Sequence, residues 1–230
     1  MNVKPLLFIL CAVIFYSTAC KKNNDAPTIN TSIDSLNFIN AYSIPVNIYL
    51  NGSRLNKNSN LAAAGSSGYY TVPFGSQIQV KKVFDPSTSV VQTLFNYSPK
   101  MVPHQYYSLF IAGATDSNAF VTQDVLPLGD TATSKCQVRF VNASPDAGPV
   151  DFFIGGVKYN NLKFKQGSAF AEVDTASLSP IMVFKAGTTD TLINGQYPLL
   201  QGYIYTFYTM GSLTGKGSSA LGVGVTVNAP

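Results

Sequence analysis

Two segments of this sequence repeat one pattern of apolar and polar residues, and this duplication constrains the fold more than any other feature. Leu36–Ala41 aligns with Val138–Ala143, with Phe, Asn and Ala identical at matching positions. Later segments repeat in the same order: Pro45–Gly52 with Pro149–Gly156, Ser76–Lys82 with Ser179–Lys185, Thr93–Asn96 with Thr191–Asn194, and Tyr107–Gly113 with Tyr205–Gly211. Because the order is kept throughout, the sequence predicts two copies of one domain.

Apolar residues alternate with polar ones in each copy, which is the pattern of a β-strand with one buried face. Leu36 and Phe38 share one face of the first predicted strand, and Val46, Ile48 and Leu50 share one face of the second. Short strands at regular spacing, turns that contain Gly and the lack of a helical pattern predict about seven strands per copy. The predicted fold class is all-β: two tandem antiparallel immunoglobulin-like β-sandwich domains after a signal peptide and a flexible tether.

The domain boundaries follow from changes in composition along the chain. Residues 34–127 are predicted to form the first sandwich, and residues 136–230 the second. Residues 128–135 are predicted to be a linker, because Pro, Gly, Asp and Thr are typical of exposed connections between domains. Residues 20–33 are polar, contain one Pro and show no periodicity, which predicts a flexible tether.

The amino terminus has the layout of a signal peptide over residues 1–19. Lys4 is followed by the apolar run Leu6–Tyr16 and by small residues before Cys20. The run is shorter than the about 20 apolar residues that span a bilayer. The small residues followed by Cys20 resemble a bacterial lipoprotein signal. This resemblance implies that Cys20 carries acyl chains such as palmitate, which anchor the protein in the outer membrane of the cell envelope. An ordinary secretory signal with an incidental cysteine is the alternative.

The second copy contains a motif that resembles a known family. Val138–Gly156 is similar to the start of the domain of unknown function 4397, which is found in bacterial envelope proteins. The resemblance is carried by Arg139, Asn142–Ala147, Val150, Asp151, Gly156 and the later strand Tyr205–Gly211. The first copy differs, because Tyr42–Ile44 replaces the Ser-Pro-Asp-Ala turn. The family has no agreed activity, so the resemblance implies a fold and an envelope location but no chemistry.

The content of reactive residues predicts no catalytic residue, no metal site and no cofactor. The chain has one His (His104), and Cys136 is the cysteine left after Cys11 leaves with the signal and Cys20 is lipidated; this count excludes a cluster of His and Cys ligands. Asp146 and Asp151 allow a calcium site, but we interpret Asp146 as a turn residue because the first copy keeps the strands without either carboxylate. Asn40 and Asn142 are predicted to satisfy backbone groups of the following turn.

Aromatic residues give the best indication of a ligand. Tyr49 and Phe153 occupy equivalent outward positions on the second strand of each copy and are candidate ligand-facing aromatics, since exposed rings stack on sugars. The alternative is that such rings fill the core or the contact between the copies. A net charge of +4 without a basic stripe predicts no nucleic-acid partner.

The function predicted from these features is that of a non-catalytic, lipid-anchored envelope protein that presents two domains for binding or adhesion. Its expected partners are the membrane, through the lipid on Cys20, and a glycan or another envelope protein. A glycan-binding accessory lipoprotein is the alternative, and a glycan-active enzyme with a carboxylate pair is the less favoured one. Asp130-Thr131-Ala132 in the linker resembles a bacteroidete O-glycosylation acceptor, which makes Thr131 a candidate modification site.

Overall fold

The structure is a computed structural model that describes residues 33–57, 59–83, 91–126 and 134–228. The predicted signal peptide, Cys20, most of the tether and Thr131 lie outside the described residues. The described residues belong to one compact unit. No helix within them has the length and apolar character needed to cross a membrane.

Within the described residues, the first domain has eight strands in two four-stranded sheets. The strands are β1 (Ile33–Asn40), β2 (Val46–Leu50), β3 (Ser53–Arg54), β4 (Ser66–Pro73), β5 (Ile78–Val83), β6 (Val91–Tyr97), β7 (Tyr106–Ile111) and β8 (Ala119–Gln123). We call the sheet with strand order β4-β1-β7-β8 the first inner sheet, and the sheet with order β3-β2-β5-β6 the first outer sheet.

The second domain repeats this arrangement with eight further strands. They are β9 (Lys135–Val141), β10 (Val150–Ile154), β11 (Val157–Leu162), β12 (Ala171–Asp174), β13 (Ala176–Lys185), β14 (Thr191–Leu199), β15 (Ile204–Met210) and β16 (Gly222–Val227). The second inner sheet has the order β12-β9-β15-β16, and the second outer sheet has the order β11-β10-β13-β14. A short 3₁₀ turn precedes the last strand of each domain.

The predicted fold class is confirmed, since the described chain is all-β and forms two sandwich domains in tandem. Two details differ from the prediction. Each domain has eight strands within the described residues, where about seven were predicted. The additional strands are β3, which has only two residues, and β11, whose alternation of half-buried and exposed residues is broken after four positions. The inner sheets are also not purely antiparallel: β1 runs parallel to β7, and β9 runs parallel to β15.

Each domain has its own apolar core between its inner and outer sheets. In the first domain, Leu36 and Phe38 of β1 pack with Val46 and Ile48 of β2. The second core contains the equivalent residues Val138, Phe140, Val150 and Phe152. The rings of Phe140 and Phe152 are stacked, with centroids 4.0 Å apart. These are the residues that the period-two pattern assigns to the buried face, so this part of the prediction is correct.

A third core lies between the two inner sheets and joins the domains. It contains buried residues from the opposite faces of the same strands: Ile39, Ala41, Phe110, Ala112, Phe120, Val141, Ala143, Tyr208 and Met210. As a result, all seven residues of β15 are buried. The prediction of half-buried first strands is therefore wrong for β1 and β9, because each inner sheet is covered on its second face by the other domain.

The inner strands of the two domains run in the same direction. The backbone amide of Gly211, after β15, donates to the carbonyl of Ala41, after β1, over 3.3 Å. We call the end at which β1 and β9 finish the distal end. We call the end at which they begin, at Ile33 and Lys135, the entry end. Both domains therefore share one distal end and one entry end.

Candidate functional site

A buried ion pair joins the two inner sheets across the third core. Nη2 of Arg139 in β9 donates to Oδ1 of Asp124, which follows β8. The side chain of Arg139 is 3% exposed and that of Asp124 is fully buried. Nη1 of Arg139 donates to the carbonyl of Gln123 at 3.1 Å, and Nε donates to Thr206 at 2.8 Å. The guanidinium carbon lies 4.7 Å from the ring centre of Phe170.

The remaining acceptor positions of Asp124 are also occupied by protein groups. Its Oδ2 accepts from the hydroxyl of Tyr69 at 2.6 Å and from that of Ser108 at 2.7 Å. Burial, followed by the charge of Asp124, raises the pKa of Tyr69 well above its usual value, so this hydroxyl keeps its proton. The amide of Asn228 in the second domain donates to the same hydroxyl at 2.9 Å. These hydrogen bonds offset the desolvation free energy that burying two charges costs.

The residues of this polar network occupy positions that have equivalents in the other repeat. Asp124 and Asn228 correspond, since their backbone amides donate to the equivalent carbonyls of Tyr106 and Ile204. Asn37 corresponds to Arg139, since they pair with Ser108 and Thr206 in the two inner sheets. One repeat therefore supplies the anion and the other supplies the cation. We infer that the two copies are no longer interchangeable at their contact.

A cleft of 370 Å³ opens between the domains at the distal end. The first domain contributes Tyr42, Ser43 and Asn118, and the second contributes Pro145, Asp146 and Ser212. The Ser-Pro-Asp-Ala turn of the second repeat and the segment that replaces it in the first repeat therefore face each other across one concave surface. The two walls differ chemically: Tyr42 on the first wall also packs against the core of its own domain, and the second wall carries the carboxylate of Asp146.

Asp146 is held by hydrogen bonds from its own domain. Its carboxylate accepts from the hydroxyl of Ser212 at 2.5 Å, from the amide of Leu213 at 3.1 Å and from Ser144 at 3.2 Å. Partial burial opposes ionisation, but these hydrogen bonds outweigh it and lower the pKa of Asp146. The carboxylate therefore connects its turn to the loop after β15, which supplies two of these three hydrogen bonds, whereas a turn residue was expected to bond mainly within its own turn. Because its pKa is lowered, it is negatively charged at neutral pH.

Asp151 has a separate structural role. Its carboxylate accepts from the amide of Asn161 at 2.8 Å and from that of Gly187 at 3.3 Å, and it pairs with Lys158 at 3.3 Å. Burial again opposes ionisation, and the donors overcome it and lower the pKa of Asp151. Asp146 and Asp151 thus bind different protein groups. Over the part of the chain that the structure describes, no group of three or more metal-ligating side chains occurs.

The predicted roles of Asn40 and Asn142 are confirmed. The amide of Asn40 donates to the carbonyl of Ile44 at 2.8 Å, and its oxygen accepts from the amide of Tyr42 at 3.1 Å. In the second domain, the amide of Asn142 donates to the carbonyl of Gly148 at 2.9 Å, and its oxygen accepts from the backbone amide of Ser144 at 3.2 Å. Because both asparagines shape the turns that line the cleft, these core residues also position its walls.

The two candidate ligand-facing aromatics lie far from the third core, on the outer sheets. Tyr49 and Phe153 are half-buried and lie on the faces opposite the domain cores. Nζ of Lys81 lies 4.0 Å from the ring centre of Tyr49. Phe153 pairs across the sheet with Met182 and Lys158. Their role in binding stays a prediction.

The two other reactive side chains considered, those of Cys136 and His104, lie apart from the ion pair and from the distal cleft. Cys136 is buried, and burial raises the pKa of its thiol to about 11. His104 is exposed and has a backbone φ of 64° in the turn before β7. Neither residue lies in the ion-pair network or lines the distal cleft.

Sequence reasoning did not predict the ion pair or the cleft. Arg139 was noted as part of the family motif, and Asp124 was not singled out. A possible signal was the replacement of Asn37 by a charged residue at the equivalent position of a repeated strand. That signal does not identify the partner, because Asp124 becomes a neighbour only when the domains pack.

Comparison with known proteins agrees with this structural duplication. The family model described as a domain of unknown function, DUF4397, matches residues 35–153 and again residues 136–228. Both matches include the β9–β10 segment with the Ser-Pro-Asp-Ala turn. No curated protein matches the chain. Since the matched segments cover most of its length, the chain belongs to the DUF4397 domain family and carries two tandem segments of it.

Proposed function

We propose that this protein is a non-catalytic, lipid-anchored envelope protein of the bacteroidete type that presents two joined β-sandwich domains for binding or adhesion. The observation that carries the proposal is the distal cleft. The second repeat contributes its Ser-Pro-Asp-Ala turn to the cleft, and the first contributes the segment that replaces this turn. The Arg139–Asp124 pair joins the two domains on which these segments lie. Clefts at domain contacts are common ligand sites.

The lipid anchor is supported by the position of Cys20 directly after small residues that follow a short apolar run. Several acyl chains on one cysteine anchor a protein stably, whereas a single chain binds only marginally. We expect processing in cells to be blocked by globomycin. We also expect Cys20→Ala to lose both the lipid mass and the association with the outer membrane. A Cys20→Ala protein that stays in the membrane fraction would contradict the anchor.

A glycan is the ligand class that the cleft fits best. Tyr42 lines the cleft and is only partly covered by its packing on the first core, so the exposed part of its side chain can contact the apolar face of a sugar. The charged Asp146 opposite can accept hydrogen bonds from the sugar hydroxyls. Asn118 adds an amide to the first wall. The outer-sheet residues Tyr49 and Phe153 offer a second surface of the same chemistry.

The test uses the mature lipoprotein in lipid nanodiscs on a glycan array and on polysaccharide affinity gels. Tyr42→Ala and Asp146→Asn should each weaken retention about tenfold, which is the loss of one good polar or stacking contact. Tyr49→Ala and Phe153→Ala are matched controls on the outer sheets. If only the controls reduce binding, the ligand site lies on the outer sheets. If no glycan is retained, the glycan proposal fails and the lipid anchor is unaffected.

A further inference from the structure

Among the described residues, most of the exposed large apolar side chains lie at one end of the protein. In the first domain they are Phe74, Val102, Tyr106 and Val125. Val102 is 65% exposed and Val125 is 72% exposed, so these side chains make little contact with the rest of the protein. Isolated exposed apolar residues are ordinary, but a group of them in one region indicates an interaction surface.

Strand pairing places all four of these residues at the entry end. Tyr106 pairs with Ser35 at the start of β1. Phe74 follows Pro73, which pairs with Ile33. Val125 follows Asp124, whose amide donates to the carbonyl of Tyr106 at 2.8 Å. The amide of Val102 donates to the hydroxyl of Tyr107, close to the start of β7.

The second domain contributes four equivalent or neighbouring residues: Leu178, Leu200, Tyr203 and Val227. Leu200 corresponds to Val102, since its amide donates to the hydroxyl of Tyr205 as that of Val102 does to Tyr107. The carbonyl of Tyr203 accepts from the amide of Gln137 near the start of β9, and Val227 pairs with Tyr205. Leu178 lies near the start of β13, where Ala176 pairs with Leu199.

Together these two groups form a surface that we call the apolar rim. Among the described residues, Leu213 is the one exposed large apolar side chain outside the rim, and it lies in the loop after β15 at the distal end. Both repeats kept exposed apolar residues at their entry ends although their sequences diverged elsewhere. Because the entry ends of the two domains point the same way, the rim faces a single direction.

The chain itself enters the protein at the rim. β1 begins at Ile33, so the polypeptide that leads back to Cys20 is joined at this end. Even fully extended, the residues from Cys20 to Ile33 span at most about 45 Å. A bilayer that holds lipid on Cys20 is therefore always within reach of the rim. Because the connection is short, contact between the rim and the membrane becomes an intramolecular event, so even weak binding of the rim to lipid is favoured.

We propose that the apolar rim docks on the surface of the bilayer in which the lipid of Cys20 is inserted; this rests on the proposed lipid anchor. Aliphatic side chains enter the boundary between headgroups and acyl chains, and the two tyrosines lie at headgroup depth. Lys100, exposed in the loop before β7, faces anionic headgroups. The exposed Asp174 of the same end is paired with Lys135 at 2.7 Å, so it adds little repulsion.

Docking by the rim fixes the orientation of the protein on the membrane. The distal cleft lies at the opposite end of both domains, so it points away from the bilayer. A ligand can then reach the cleft without approaching the lipid surface.

The natural absence of Trp allows a direct test with single fluorescent probes. Val102→Trp and Leu200→Trp place one probe on the rim in each domain, and Leu213→Trp is the matched control at the distal end. Each mature lipoprotein is reconstituted into vesicles of phosphatidylethanolamine and phosphatidylglycerol with brominated acyl chains. Attachment through Cys20 is confirmed separately by intact mass and by flotation with the vesicles.

The rim probes should emit at shorter wavelength and lose about half or more of their fluorescence to the bromine atoms, which reach interfacial side chains. The control probe should be unchanged. If the protein floats with the vesicles and all three probes stay unquenched, docking is refuted while the anchor stands. If the protein does not float with the vesicles, the lipid anchor is contradicted, and docking, which rests on the anchor, falls with it. A blue shift of the rim probes in detergent that grows with protein concentration would instead identify a second copy as the occupant, and would overturn the proposal.

Discussion

The guanidinium of Arg139 in the second domain and the carboxylate of Asp124 in the first form a buried ion pair across the contact between the two inner sheets. Tyr69 and Ser108 of the first domain also donate to Asp124. Arg139 also donates to Thr206 of its own domain and to the carbonyl of Gln123 in the first domain. Because both charges are removed from water, each depends on the other. The pair therefore determines how the domains match, whatever its net contribution to stability.

Removing one member of this pair should destabilise the protein much more than removing both. Asp124→Leu leaves the Arg139 charge buried without its counter-ion, which costs about 3–5 kcal/mol. The double variant Asp124→Leu/Arg139→Met should recover most of this loss, since buried pairs are often replaceable by apolar residues. Urea unfolding of the single and double variants measures the coupling. Strictly additive losses would show that the two charges do not interact.

Gly224 is required because the ring of Tyr208 lies over it. A Cβ added at Gly224 would overlap the ring of Tyr208, whose hydroxyl donates to the carbonyl of Ala64 in the other domain at 3.0 Å. Gly224→Ala should therefore displace the ring and cost about 1–3 kcal/mol. Gly195→Ala is the matched control in β14, since no atom lies within 4 Å of its added Cβ. Equal unfolding midpoints for the two variants would argue against the close packing of Tyr208 on Gly224.

The stability of the protein should fall in alkaline solution because of the two tyrosines in the domain contact. Burial raises the pKa of Tyr208, and burial together with the Asp124 charge raises that of Tyr69. Below pH about 10, both tyrosines are protonated in the folded and unfolded chains, so their contribution is complete. Above that pH they ionise first in the unfolded chain, and each lowers the free energy of unfolding by up to about 1.4 kcal/mol per pH unit.

Unfolding midpoints at a series of pH values from 8 to 11 measure this slope. In Tyr69→Phe/Tyr208→Phe the slope above pH about 10 should be shallower, since phenylalanine does not titrate. An unchanged slope in the double variant would assign the alkaline loss to other groups.

Cys136 should be unreactive in the folded protein. Burial raises the pKa of its thiol to about 11, so at pH 8 only about 0.1% is thiolate, the reactive form. We expect iodoacetamide to leave the mature protein unmodified by intact mass, and to modify it once in urea. Cys136→Ala provides the background. Rapid modification without urea would mean that the start of β9 opens readily.

Local patterns in the sequence predicted a substantial part of this structure. The alternation at Leu36 and Phe38 identified the face of β1 that packs in the core of its own domain, because the side-chain period of a strand is independent of what covers it. Asn40 and Asn142 were correctly assigned to the turns after the first strands, since their partners lie nearby in the fold of their own domain. β11 was not predicted, because its alternation of apolar and polar residues over Val157, Lys158 and Tyr159 is short and is broken by the consecutive exposed residues Asn160 and Asn161.

The sequence by itself determined the duplication, the all-β class and the inward face of each sandwich, because these depend on residues close together in the chain. The third core depended on the tertiary structure. Asn37 and Ile39 alternate with core residues along β1, and from the sequence alone this mixed polar and apolar face would be assigned to solvent. Arg139 and Val141 form the equivalent face of β9. Whether such a mixed face meets water or another sheet is decided by residues of the other domain, such as Asp124 and Tyr208. Their position relative to β1 and β9 exists only once both sandwiches have formed and packed.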